Sequence, residues 1–158
     1  MGAGSTSSYM LAFDGSLLRR GFWLYVWKIV CPDGTTLYYV GRTGDSSSAN
    51  AASPFSRMSA HFSRNPRGNA LVRNLLSEGI AAEECRFELH AHGPVFPEQE
   101  SFEAHRPYRD HMAALEREVA DQFRKAGRRV IGTHPSIRGS QEEVTAQARK
   151  IVESVDTA

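Results

Sequence analysis

The segment Tyr39-Val40-Gly41-Arg42 sets an aromatic hydroxyl, a position without a side chain and a permanent cation within four residues. Further on, Arg57 and His61 stand four residues apart, a spacing that puts both on one face of a helix. These residue types suit phosphate chemistry. An arginine is always charged and forks onto phosphate oxygens. A histidine can take up and return a proton near neutral pH. A tyrosine, with a pKa of ~10, can relay a proton when a nearby cation helps it. A glycine lets the backbone turn tightly where a phosphate would approach. Each residue alone also has an ordinary reading. Hairpin tyrosines pack across strands, and a basic helix face is commonly just solvated.

Charge along the chain gives the arginines a setting. The net charge is +1, which argues against an indiscriminate nucleic-acid binder. The distribution is uneven, however. Ser46 to Ser77 holds no acidic residue but carries Arg57, Arg64, Arg67, Arg73 and His61. An acidic stretch with Glu83, Glu84, Glu88, Glu98, Glu100 and Glu103 follows, and Arg124, Lys125, Arg128 and Arg129 restore positive charge. Two basic segments around an acidic one can fold into one positive face. Arg42, Arg64, Arg67 and Arg73 are its candidate contacts to a nucleic-acid backbone.

The elements that must position these groups are readable in outline. The chain of 158 residues is long enough for one domain with a real core, and its 41% hydrophobic content is that of a globular protein. GFWLYVWKIV, residues 21–30, is aromatic and β-branched, hence a strand. Alternation places Phe22, Leu24, Val26, Lys28 and Val30 on one face and Trp23, Tyr25, Trp27 and Ile29 on the other. CPDGT is a turn, and TTLYYVGRT is a second, antiparallel strand. Ser53-Pro54 caps a short helix, PFSRMSAHF. Asn65-Pro66 and Gly79 bracket a second helix bearing Leu71, Val72, Leu75 and Leu76. Residues 85–91 read as a third strand and residues 93–107 as a long loop. Residues 108–126 form a helix with Met112, Leu115, Val119 and Phe123 inward and Gly127 as its cap. Ser140 and Glu143 make a capping box for a last amphipathic helix. The expected class is α/β, more narrowly α+β: a three-stranded antiparallel sheet flanked by helices. The expected division is a flexible tail over 1–20, one domain over 21–136 and a C-terminal helix over 137–158.

LYV at Leu24 to Val26, followed across the hairpin by YVG at Tyr39 to Gly41, resembles the GIY-YIG nuclease family. The matching tyrosines are Tyr25 and Tyr39; the first tripeptide is degenerate and the second close. The resemblance continues through Arg57 and His61 in SPFSRMSAHF and Glu116 in MAALEREVADQF, and covers roughly residues 21–135. It implies that Glu116 binds the catalytic metal, Mg²⁺ or Mn²⁺, with Glu118 the next choice. It also implies that Tyr25 relays a proton. Family members often carry an asparagine beyond the glutamate. This chain has none after Asn74, which leaves Thr133 or His134 in that place. The residues suit such a site: one carboxylate with several waters is an ordinary Mg²⁺ arrangement. On this reading Glu116→Ala would abolish cleavage and spare the fold.

The resemblance therefore implies a Mg²⁺-dependent endonuclease that hydrolyses phosphodiester bonds in DNA, with Tyr25, Tyr39, Arg57 and His61 catalytic. DNA and RNA are not distinguished by sequence. The alternative is a catalytically silent nucleic-acid-binding module on the same fold. A third reading, a zinc-binding or interaction domain, rests on the His90-x-His92 pair, which no second ligand pair accompanies. Cys31 and Cys85 make no disulfide framework and no CxxC motif, and are expected as small buried hydrophobes. Gly2 and Thr6 match a myristoylation pattern, as a small-residue leader does by accident. No apolar run of ~18 residues suggests a membrane span, so an intracellular, cytoplasmic protein is expected.

Overall fold

A computed structural model describes residues 4, 6–134 and 141–158. Strand β1, Phe22–Val30, is central. It pairs antiparallel with β2, Thr36–Arg42, in the register Val26 to Val40 and Trp27 to Tyr39. The turn between them closes through Gly34 N–H donating to the Cys31 carbonyl at 2.9 Å and Thr35 N–H donating to the Asp33 carboxylate at 2.8 Å. On its other side β1 pairs antiparallel with β3, Arg86–Phe96, with Val26 opposite His90. These are the three expected strands.

The sheet nevertheless has four strands, not three. Arg129–Val130 forms a two-residue strand, β4, parallel to β2, and the order is β3-β1-β2-β4. The sequence RRVIGTHP reads as a short extended piece, but two paired residues are too few to show alternation, so its place in the sheet is not legible.

Among the described residues four α-helices cover the sheet: α1, Pro54–His61; α2, Ala70–Ser77; α3, Phe102–Lys125; and α4, Glu142–Asp156. The alternation in β1 sorts them. Phe22, Leu24 and Val26, with Tyr38 and Val40, meet Met112, Leu115, Val119 and Phe123 of α3 and Val144, Ala148, Ile151 and Val155 of α4. Tyr25, Trp27 and Ile29, with Leu37, meet Leu71 and Leu75 of α2, and Met58 of α1 packs against that cluster. A strand loaded with apolar side chains on both faces is thus buried on both.

Local signals explain most boundaries. Ser53 Oγ accepts from Ser56 N–H at 3.2 Å, with Pro54 at the first turn of α1. Gly127, at φ 79°, follows α3 and lets Arg128 N–H return to the Phe123 carbonyl at 3.0 Å. The expected loop over 93–107 is a correction. β3 runs on to Phe96, and α3 begins at Phe102, where Ser101 Oγ accepts from Ala104 N–H at 3.2 Å. Gly93-Pro94 reads as a break, but β3 is an edge strand, and an edge tolerates a residue that donates no amide. Pro107 lies inside α3, near its start. The second helix also starts later than Pro66, at Ala70. The capping box at Ser140 lies outside the described residues; α4 follows Gln141, which makes no side-chain cap. Gly2 is likewise outside them. No helix among the described residues is long and apolar enough to cross a membrane.

Candidate active site

On the α1 side of the sheet, strand alternation and helix periodicity bring four of the singled-out residues together. The Tyr25 hydroxyl lies 2.7 Å from His61 Nε2, and each residue is only 2% exposed. Tyr39 comes from the neighbouring strand, with its ring centroid 5.3 Å from that of His61. Arg57, one turn before His61, is close enough for its charge to act on the Tyr25 hydroxyl. Its Nη2 also donates to Asp45 Oδ2 at 2.8 Å. Gly41 explains the close fit. It pairs with Tyr25 across the hairpin, and a Cβ there would collide with the Tyr25 ring and hydroxyl.

Burial sets the protonation states. It pushes Tyr25 well above its ordinary range, with the Arg57 charge opposing. It pushes Tyr39 up to about 12, helped by Glu116 and opposed by Arg57. It lowers His61 to about 4, and the Arg57 cation adds to that shift. At neutral pH His61 is therefore an uncharged imidazole. Its Nδ1 is buried and has no partner among the described residues. A neutral imidazole beside a tyrosine O–H can accept that proton. Arg57 can in turn stabilise the oxygen that loses it.

Glu116 reaches the cluster from α3, on the opposite side of the sheet. Together with Tyr39, Arg73, Asn74, Thr133 and His134 it lines a cavity of about 370 Å³. Burial raises the Glu116 carboxyl, while Arg42 and then His134 oppose the rise. Arg42 Nε donates to Glu116 Oε2 at 2.8 Å, and both side chains are largely buried.

The fold thus gathers Tyr25, Tyr39, Arg57 and His61 and sets Glu116 beside Tyr39. Arg73 joins the same cavity, and so do both Thr133 and His134. Arg42 is committed to Glu116. Arg64 and Arg67 are exposed on the connection between α1 and α2 and do not line the cavity. Glu118 is held by Gln122 at 3.0 Å and does not line it either. Sequence reasoning missed Asp45 and Asn74. Asp45 closes the Tyr39-to-Asp45 segment and holds Arg57. Asn74 interrupts the apolar run of α2, and that interruption was its only signal.

The residues accommodate a hydrated divalent ion held through one carboxylate. Glu116 Oε1 makes no hydrogen bond among the described residues, and Asn74 and Thr133 add neutral oxygens to the cavity. Mg²⁺ and Mn²⁺ take hard oxygen ligands of this kind. A site built from several anionic or imidazole ligands does not fit. No group of three or more His, Cys, Asp or Glu side chains is placed to hold an ion among the described residues. The zinc reading of His90 and His92 meets the same obstacle. His90 Nε2 lies 3.2 Å from Glu88 Oε1, while His92 Nε2 is buried without a partner.

No family model matches this chain, and no curated protein or solved structure matches it either.

Proposed function

We propose that the chain is a metal-dependent endonuclease of GIY-YIG type, acting on phosphodiester bonds in DNA. The observation that carries this reading is the buried Tyr25–His61 hydrogen bond with Arg57 beside it and Glu116 in the adjoining cavity. A lone tyrosine, arginine or glutamate has many uses. A buried tyrosine–histidine pair with an arginine beside it, joined through Tyr39 to a cavity that Glu116 and Arg73 line, matches the needs of phosphodiester hydrolysis.

In this mechanism the Tyr25 oxygen takes a proton from the attacking water as its own proton passes to His61 Nε2. Arg57 neutralises charge that builds on the phosphate, and Asp45 holds its guanidinium in place. Arg73, on the cavity wall, orients the scissile strand. Glu116 would hold a divalent ion at the cavity. Such an ion, when bound, acidifies water or stabilises the leaving oxygen.

One observation favours a second reading, the silent nucleic-acid module. Arg42 already occupies one oxygen of Glu116, so an ion must share that carboxylate with a cation. Supercoiled plasmid separates the two. The endonuclease nicks it with Mg²⁺ or Mn²⁺ and stops on EDTA. A silent module retards it on a gel and leaves it supercoiled with every divalent ion.

A further inference from the structure

The pairing of β1 with β3 ends with Val30 opposite Arg86. Cys31 directly follows β1 and Cys85 directly precedes β3, so the register continued by one residue would set them opposite each other. Alternation puts both on the sheet face that carries Ile29 and Phe87, and Cys85 packs against the cluster that includes Cys31. The Cys31 thiol is close enough to act electrostatically on Cys85. Directly opposed residues on antiparallel strands have Cα atoms ~4.5–5.5 Å apart. A disulfide needs Cα atoms ~4.4–6.8 Å apart, a range that a continued register would meet. Both cysteines are free.

Their exposure differs. Cys31 is 6% exposed, while Cys85 is only half-buried and its Sγ lies 3.5 Å from the Ala81 carbonyl. Cys31 also lines a small cavity of about 220 Å³ bordered by Pro32, Ile80 and Arg129. Cys85 is the more exposed thiol and the one a small reagent meets first, while the cavity borders Cys31. Packing as a small hydrophobe, the expectation from sequence for both cysteines, fits Cys31, whereas Cys85 is only half-buried. Such packing does not require two of them at adjoining strand ends.

We propose that Cys31 and Cys85 are a reversible dithiol–disulfide site whose oxidant is a low-molecular-weight disulfide. Burial and then Cys31 hold the Cys85 thiol above its ordinary range, so Cys85 first gives up its proton to solvent and its sulfur then attacks one sulfur of that disulfide. A mixed disulfide forms on Cys85, and the first small thiol leaves and takes up a proton. The Cys31 thiolate then attacks the Cys85 sulfur. The Cys31–Cys85 bond forms and the second small thiol leaves, likewise protonated. The protein loses two hydrogens and two electrons, and one small disulfide becomes two thiols. The bond ties the end of β1 to the start of β3 and closes a loop that contains α1 and α2. It therefore restrains the unfolded chain.

The test uses the full chain, reduced and then incubated with excess oxidised glutathione. Intact mass and a tryptic map are the readouts. The expected product is two hydrogens lighter, carries no glutathione and yields a cross-linked Cys31–Cys85 peptide. It melts roughly 5 °C or more above the reduced protein, and dithiothreitol reverses the shift. Cys31→Ser should stop at a stable glutathione adduct on Cys85, and Cys85→Ser should take up little glutathione. Wild-type protein that keeps both thiols, or ends with glutathione on either cysteine, overturns the proposal. So does a Cys85→Ser protein that is modified as fast as Cys31→Ser.

Discussion

At the scale of single residues, burial does most of the chemical preparation. His61 holds its folded value at about 4 against an ordinary 6.5. The unfolded chain therefore binds a proton at this residue where the folded chain does not. Stability from a neutral His61 is complete above pH 6.5 and is lost as pH falls toward 4, amounting to ~3 kcal/mol at most. Urea unfolding at about pH 7.5 and about pH 4.5 should show the gap between wild type and His61→Gln narrowing toward acid. Parallel pH dependences would mean that His61 titrates normally. Glu116 needs different handling from what the sequence suggests. Removing it leaves Arg42 largely buried and uncompensated, and breaking one side of such a pair costs ~3–5 kcal/mol. The expectation that Glu116→Ala spares the fold is therefore corrected. Glu116→Gln keeps an oxygen for Arg42 and removes the anion. It should melt closer to wild type than Glu116→Ala, while losing Mg²⁺-dependent nicking. A Glu116→Gln protein that nicks at the wild-type rate would move the metal ligand elsewhere.

Among the elements, the hairpin carries the account. Gly41 and Tyr25 face each other, so Gly41→Ala drives a methyl into a ring that is 2% exposed and cannot swing clear. Overpacking of this kind costs ~1–3 kcal/mol, and it should displace the hydroxyl from His61. A lowered melting temperature together with slowed nicking is the expected result. An unaffected protein would mean the strands separate without cost. The hairpin was legible because every residue in it obeys one alternation and the turn residues agree. Arg57 and His61 were legible because four-residue spacing fixes a helix face. The Arg42–Glu116 pair was not legible. Those residues are 74 apart in sequence, and only the packing of α3 on the sheet brings them together. Nor was the extension of β3 or the early start of α3, because Gly93, Pro94 and Pro107 are turn residues by propensity. Edge position overrode that propensity in β3.

Across the whole molecule, charge separates into two functions. The arginines committed to the cluster and cavity are Arg42, Arg57 and Arg73, whereas Arg64 and Arg67 are exposed on the α1–α2 connection and make no ion pair among the described residues. Exposed cations of that kind add affinity without reading sequence. Replacing both Arg64 and Arg67 with Ala should weaken DNA binding on all sequences alike. It should also flatten the log–log salt dependence by ~1–2 units, since each neutralised phosphate contributes ~0.9. An unchanged slope would place the DNA on another face. The central claim is that the Tyr25 hydroxyl takes part in cutting a phosphodiester and does not merely fill the space beneath Gly41. A plasmid-nicking time course of wild type beside Tyr25→Phe, with Mg²⁺ and with melting curves as the folding control, tests it most directly. The phenylalanine keeps the ring and loses only the hydroxyl that meets His61 at 2.7 Å. The account predicts nicking by wild type and a loss of ~10²-fold or more in the variant at near-wild-type stability. A Tyr25→Phe protein that nicks as fast as wild type would contradict it.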